Sequence, residues 1–323
     1  MSSGISGSNS HLNYFLKSCL EVTALSFTSI AYTGLKCFKF DVHRFIGQLN
    51  SFAESSGYDY RFESRNAYII GSVQAIASVL VKSTPYSVKS LTSIDPATAV
   101  YSAITMVDAW IDGGKRDVGY KKSYIRLVQD LMLTGVTSPS RDESIKLLDS
   151  HTILILFAHQ KLAHRPGWAT FVRDFDRLVK AGDREFTSTT PSTCLRATEL
   201  VGAYSAAAIF NAIFIDQPSN LKRSVKLDVM RLGAIMNIID DIFDYSDDIK
   251  AARKTFVTQS YTIELGQELG YAKCAKLWTQ LKANKSRHQQ LPMQNTMAVW
   301  WLRNRFNSGD LSTNDIAKIL LKT

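Results

Sequence analysis

The sequence predicts an all-α protein: a single large helical bundle over residues 11–323. Proline is scarce, with 7 in 323 residues, and Asn-Gly or Asp-Gly turn signals are few. Apolar residues recur at helical spacing over long stretches, and no sustained alternation indicates a strand. With 45% hydrophobic residues the chain has ample material for a core. The polar start MSSGISGSNS, residues 1–10, is interpreted as a flexible tail.

Two helices have clear predicted starts. Asp95 stands before Pro96, which pairs a capping side chain with a proline suited to the first turn, and this helix is expected to end at Gly113. Pro191 opens a segment whose stretch from 200 to 215 carries no charge. That stretch is too short and too polar for a membrane span, so we expect a helix buried in the bundle and no stable membrane insertion.

Two further helices are predicted between these. Ser140 with Glu143 has the spacing of a capping box, and the pattern after it continues to about His164. Pro166 is expected to open the next helix, which should end at Gly182.

The chain is basic, with a net charge of +9, which indicates an acidic partner: nucleic acid, an anionic membrane or a phosphorylated small molecule. Its 4 cysteines form no CxxC pair or Cys/His cluster, which favours reduced thiols in a cytoplasmic protein over a zinc site.

One segment reverses this charge. The run NIIDDIFDYSDD, residues 237–248, contains five aspartates and no basic residue. On one helix they would occupy about a third of the circumference, opposite an isoleucine face. Like charges one turn apart repel, so the run favours a bound cation over a solvated face, and carboxylate oxygens suit Mg²⁺. The five are Asp240, Asp241, Asp244, Asp247 and Asp248.

A second acidic pair lies near the end of the helix that begins at Asp95. Asp108 and Asp112 are one turn apart, and Asp108 shares its stripe with apolar residues. A carboxylate on such a stripe is costly unless it is paired or bound to metal. A salt bridge from Lys115 or Arg116 is the alternative to a metal.

These two segments resemble a known family. LGAIMNIIDDIFDYSDD resembles the second aspartate-rich motif of trans-prenyl diphosphate synthases, and its aspartates at 240, 244 and 248 are spaced like the metal ligands of class I terpene synthases and squalene-synthase-like cyclases. VDAWID resembles a degraded first motif, with Ala109 where chain-elongating enzymes carry another aspartate.

The resemblance implies a class I isoprenoid-synthase fold around a central apolar cavity, with the two acidic helices facing each other at its mouth. It implies that three Mg²⁺ ions hold the diphosphate of a prenyl substrate and that the reaction is cyclisation of farnesyl diphosphate to a sesquiterpene. The implied metal ligands are Asp108, Asp112, Asp240, Asp241, Asp244 and Asp248, and Asp108, Asp112 and Arg196 are the implied catalytic residues.

Basic and aromatic residues complete the predicted substrate site. Arg196 resembles an arginine that senses diphosphate in terpene cyclases, and Arg253 and Lys254 follow the acidic run closely. Arg305, in WWLRNRF, is similar to a late Arg-aromatic pair of this family. Aromatic rings stabilise cations, and the predicted wall residues are Tyr101, Tyr204, Phe210 and Phe243. Gly202 marks either a break in its helix or a close contact between helices.

Other functions stay open at this stage. A prenyl chain-elongating or squalene-synthase-like transferase has the same implied fold, but Ala109 disfavours elongation. A basic helical protein that binds nucleic acid is the non-enzymatic alternative, and the scattered bases and the absence of a reader motif disfavour it. A homodimer is also left open.

Overall fold

The computed structural model describes residues 42–63, 94–113, 116–137, 144–217 and 223–283, and within these ranges all regular secondary structure is helical. This confirms the all-α prediction for the described part of the chain. The predicted tail at residues 1–10 and Arg305 lie outside it. The helices are α1 (Val42–Ser55), α2 (Asp95–Asp112), α3 (Val118–Thr134), α4 (Asp149–Leu162), α5 (Trp168–Thr187), α6 (Pro191–Ile213), α7 (Arg223–Phe243), α8 (Tyr245–Lys250) and α9 (Ile263–Ala283).

The bounds predicted for α2 are confirmed, but the side chain expected to cap it has another role. Asp95 lies in the first turn, where it is buried and accepts hydrogen bonds from both terminal nitrogens of Arg44 on α1, at 2.9 and 3.0 Å. At α6 the proline again stands at the start. The cap there is Thr190, which forms a reciprocal capping box with Thr193.

The start predicted for α4 and the end predicted for α5 were wrong, and the capping-box residues Ser140 and Glu143 lie outside the described residues. Residues 145–148 are not helical, and α4 begins only at Asp149. The backbone N–H of Leu148, just before the helix, donates to the hydroxyl of Tyr124 at 3.1 Å. Helix α5 passes through Gly182 and ends at Thr187. A glycine inside a helix costs only about 1 kcal/mol relative to alanine, which the packing of α5 on α6 offsets.

Helix α6 is central to the described bundle: α5, α7 and α2 pack against it, and α9 packs on α7. It runs unbroken through Gly202, so the predicted alternative of a close helix contact is the one found. A Cβ atom on Gly202 would lie 2.3 Å from the carbonyl oxygen of Gly233 on α7, and one on Gly233 would lie 2.5 Å from the Cβ of Ala206. These small residues bring the two backbones together.

None of the helices in the described ranges has the length and apolar character needed to cross a membrane.

Candidate functional site

The acidic run does not form one continuous helix as predicted. Helix α7 ends at Phe243, and Asp244, with φ −87° and ψ 6°, leads into the short helix α8. Its N–H still donates to the carbonyl of Asp240, and the N–H of Asp248 donates to that of Asp244, each at 2.9 Å. The chain therefore keeps its direction approximately while the single aspartate face is divided.

This division gives the aspartates different environments. Asp247 is 77% exposed and pairs with Lys250 at 2.8 Å, which is the solvated surface pair that the sequence analysis kept as an alternative. The side chain of Asp248 is only 4% exposed. Asp240 and Asp244 are exposed and Asp241 is half-buried, with its Oδ2 atom accepting a hydrogen bond from the hydroxyl of Thr198 at 2.9 Å.

The acidic end of α2 lies close to α7, as predicted. The pKa of Asp108 is raised to about 7, first because protein surrounds the carboxyl, then because of the charges of Asp112 and Asp240; the Arg253 charge opposes this. Asp108 is nevertheless an exposed residue, so solvent reaches it from one side. Burial, Asp240 and Asp108 together raise the pKa of Tyr101 to about 12. Carboxylates of α2 and α7 thus act on one another directly.

Two cations lie among these acids. Arg253 reaches both sides, with its Nε atom 3.8 Å from Asp112 and a terminal nitrogen 3.5 Å from Asp248. Lys121 on α3 approaches Asp112 at 3.0 Å. A contact from α2 to α8 through one guanidinium is the most direct geometric link between the two predicted motifs.

Of the two bases that the alternative to a metal paired with Asp112, Arg116 lies elsewhere. The guanidinium of Arg116 lies 3.9 Å above the ring of Trp110 and donates to the Trp110 carbonyl at 2.7 Å, while Lys115 lies outside the described residues. Lys121 takes the role instead, because the first turn of α3 brings it back over the end of α2.

Sequence reasoning missed Glu185, a carboxylate from a third direction. Burial, Asp108 and Asp112 raise its pKa to about 8, and Lys121 and a hydrogen bond with Thr198 oppose this. Glu185 also contributes to raising the pKa of Asp241, after burial. A single glutamate in the last turn of a strongly amphipathic helix gives no signal in sequence; only the packing of α5 on α6 places it here.

The structure places only some of the predicted diphosphate-binding bases near the acidic residues. Arg253 is at the acidic residues, and the charge of Lys254 acts on Cys194, whose pKa is also affected by Glu185 and Asp241. Arg196 is not brought to them: its guanidinium is 61% exposed and pairs with Glu199 at 2.6 Å, and Glu199 also binds Lys273 at 2.8 Å. Thr198, two residues further along α6, faces the aspartates instead, and two residues on a helix point about 200° apart.

The aromatic residues predicted to form the substrate wall also lie in different places. Tyr101 lies at the acids, and Phe243 is half-buried against the core. Phe210 is fully buried with its ring 5.0 Å from Phe214, so it is a core residue and its assignment to an open cavity wall was wrong. The ring of Tyr204 lies 5.8 Å from the guanidinium of Arg177 on α5, and its place in a substrate wall stays a prediction.

We call the acidic residues of this region the carboxylate cluster: Asp108, Asp112, Glu185, Asp240, Asp241, Asp244 and Asp248. Within the described ranges, no three His, Cys, Asp or Glu side chains stand close enough together to hold a metal ion by themselves. Mg²⁺ usually needs only one or two carboxylates, with water and substrate phosphates as its other ligands, so pairs from this cluster suit it.

Known proteins do not assign this site: no protein-family model matches the chain, and comparison with curated proteins finds no match either.

Proposed function

We propose that the carboxylate cluster binds Mg²⁺ together with the diphosphate of an allylic prenyl substrate, and that the protein is a class I terpene cyclase acting on farnesyl diphosphate. The observation that carries this proposal is the meeting of the two acidic segments. Asp108 lies in the field of both Asp112 and Asp240, and Arg253 spans the gap between Asp112 and Asp248. The resemblance of both segments to prenyl diphosphate motifs supports the choice of substrate.

The ligand chemistry supports Mg²⁺ in particular. The cluster offers carboxylate oxygens from opposite sides, with Asp108 and Asp112 on α2 and Asp240, Asp244 and Asp248 at the α7–α8 junction. Oxygen donors without thiolate or imidazole favour a hard divalent cation. Burial first, and neighbouring carboxylates next, raise the pKa values of Asp108 and Glu185, and a bound divalent cation would favour their ionised forms.

The chain's own groups have distinct tasks in this reaction. Mg²⁺, when bound, would act as a Lewis acid that weakens the bond to the departing diphosphate. Arg253 and Lys121 carry N–H donors that can turn from their carboxylates to phosphate oxygens. Tyr101, whose raised pKa keeps its hydroxyl protonated, and Phe243 offer aromatic faces to a carbocation, each worth about 0.5–2 kcal/mol.

The test is incubation of the purified protein with C10, C15 and C20 prenyl diphosphates, with and without Mg²⁺, followed by hydrocarbon and pyrophosphate analysis. We expect pyrophosphate release and a cyclic C15 hydrocarbon only when Mg²⁺ is present. Longer diphosphates formed only on addition of isopentenyl diphosphate would replace cyclisation by chain elongation. No pyrophosphate release from any of the three substrates would overturn the proposal.

A pair of variants on the same segment localises the activity. Asp240→Asn removes a charge that acts on Asp108, and we expect at least a hundredfold loss of turnover, a typical cost of removing one strong electrostatic contact in an active site. Asp247→Asn removes the same charge from the exposed pair with Lys250 and should leave turnover unchanged. Equal effects of the two substitutions would place the metal elsewhere.

A further inference from the structure

Thr198 links α6 to α7 at the carboxylate cluster. The residue is 1% exposed, its hydroxyl donates to the Oδ2 atom of Asp241 at 2.9 Å, and its carbonyl oxygen accepts from the amide nitrogen of Asn237 at 3.1 Å. The hydroxyl also hydrogen-bonds with Glu185 on α5; because it has one proton, which goes to Asp241, it accepts from the protonated Glu185 carboxyl. Asn237 and Asp241 are one turn apart on α7, so a single residue holds two consecutive turns of the neighbouring helix.

This position follows from the close approach of the two helices. Going down α6 from Ala206 through Gly202 to Thr198, the contacts on α7 move up from Gly233 to Asn237. The helices are antiparallel, and each step is one turn on both. Because Gly202 and Gly233 have no side chains, the backbones are near enough for a short threonine side chain to reach the Asp241 carboxylate.

We infer that Thr198 is a positioning residue of the metal site: its hydroxyl holds Oδ2 of Asp241 and so directs Oδ1 toward Mg²⁺. This inference rests on the proposed function. A carboxylate that ligates a metal through one oxygen is commonly fixed by a hydrogen bond to its other oxygen. Loss of such a bond typically lowers the metal affinity about 10- to 100-fold. Thr198 touches neither substrate nor metal, and it acts through Asp241.

The test uses the isosteric substitution Thr198→Val, which keeps the shape and removes the hydroxyl. Thr198→Ser keeps the hydroxyl. The matched control is Thr98→Val, because Thr98 on α2 is also fully buried and its hydroxyl donates to the carbonyl of Ile94, within its own helix. For each variant, calorimetry gives the Mg²⁺ dissociation constant, and pyrophosphate release gives the Mg²⁺ concentration for half-maximal turnover. Urea unfolding gives the stability.

We expect Thr198→Val to weaken Mg²⁺ binding about 10- to 100-fold and to shift the Mg²⁺ dependence of turnover by the same factor. Thr198→Ser should restore both to within about threefold. Thr98→Val should leave Mg²⁺ binding unchanged even if it lowers the free energy of unfolding as much as Thr198→Val does. Unchanged Mg²⁺ binding in a folded Thr198→Val protein would overturn this inference alone.

Calorimetry separates this inference from the proposed function. If the wild-type protein binds Mg²⁺ and releases no pyrophosphate, the proposed reaction fails while the comparison of dissociation constants still decides the role of Thr198. If the wild-type protein binds no Mg²⁺, both fail together. If Thr198→Val does not fold, Thr198→Ser decides, since a weakened Mg²⁺ affinity in that folded variant contradicts a role for the hydroxyl alone.

Discussion

Helices α5, α6 and α7 pack together, and a set of polar residues lies at each end of this three-helix bundle. The two sets differ in how many cations lie beside their carboxylates. One end contains Glu185, Thr198 and Asp241, and the other contains Asp174, Asn211 and Lys226. At 1.5 Å rise per residue, the two sets are separated by about 16 to 22 Å along their helices. The same three helices therefore hold two separate polar clusters, one at each end, with different pairing of their carboxylates.

The Asp174 end is neutralised by its own neighbours. Asp174 is 0% exposed, accepts a hydrogen bond from Asn211 at 2.6 Å and forms ion pairs with Lys226 and Arg177. A buried carboxylate is stable when paired and hydrogen-bonded in this way. This cluster ties α5, α6 and α7 together and has no need of a ligand.

The carboxylate cluster at the other end places several carboxylates within reach of one another's charge. Its described ion-pair partners are Lys121 and Arg253, which both serve Asp112. The pKa values of Asp108, Glu185 and Asp241 are all raised, with burial first and neighbouring carboxylates next among the causes. The proposed cation site predicts this contrast with the paired Asp174 on the same helices, because a cation would stabilise the ionised forms of these neighbouring carboxylates.

The largest effect expected is on stability at the balanced end. Asp174→Ala removes the acceptor shared by Asn211 and Lys226 and leaves buried donors unpaired, so we expect a loss of about 3–5 kcal/mol in the free energy of unfolding. Asp241→Asn, at the opposite end, removes a repelled charge and should cost less than about 1 kcal/mol. Urea unfolding of both proteins without Mg²⁺ measures the difference. Equal losses would mean that the two ends are built alike.

A smaller effect is expected from pH. Glu185, whose pKa is raised to about 8, holds a proton in the folded state that the unfolded chain has released, and Asp108, whose pKa is raised to about 7, does so with a smaller effect on stability because this residue is exposed to solvent. Their contribution to stability is therefore lost as the pH rises from 6.5 to about 8.5. His151, whose pKa burial lowers from 6.5 to about 4, is neutral in the folded state; its unfolded form loses its remaining protons at the start of this window, which adds a smaller, opposite gain in stability. Without Mg²⁺, the melting temperature should fall by at least about 2 °C, roughly the effect of 1 kcal/mol.

Two additions make this pH series decisive. Mg²⁺ favours the ionised carboxylates and should reduce the fall, and Glu185→Gln should flatten the upper half of the profile. A melting temperature that rises over the same window would contradict the raised pKa values of Asp108 and Glu185.

The sequence was informative where periodicity or chemistry is local. The bounds of α2 and the start of α6 followed from the positions of proline and glycine and from helical spacing, and the nearness of Asp108 to Asp240 agrees with what the family resemblance implied. Glu185 and Thr198 could not be predicted, because their roles depend on which turns of α5, α6 and α7 face each other. The contact between Gly202 on α6 and Gly233 on α7 determines which turns of the two helices face each other. The sequence shows that Gly202 is small, but it does not show which residue of α7 packs against it.

The same reasoning explains why Arg196 and Phe210 do not lie at the carboxylate cluster. Each lies on α6, and the sequence placed α6 beside the acidic segments without fixing its rotation. A helix turned by half a circumference exchanges its site-facing and outward residues. Thr198 faces the aspartates, so Arg196, two positions earlier, points outward to Glu199.

The smallest effect is expected from removing the cation that joins the two acidic segments. Arg253 is 38% exposed and its contacts at 3.5 and 3.8 Å are long, so Arg253→Met should cost no more than about 1 kcal/mol without Mg²⁺. The variant leaves Asp112 and Asp248 with less positive charge, so Mg²⁺ should raise its melting temperature by more than it raises that of the wild type. Lys250→Met is the matched control, because Lys250 pairs with the exposed Asp247 and its loss should leave the response to Mg²⁺ unchanged. If both variants respond to Mg²⁺ alike, Arg253 is a surface base like Lys250, and the difference between the two ends of the scaffold rests on the carboxylates alone.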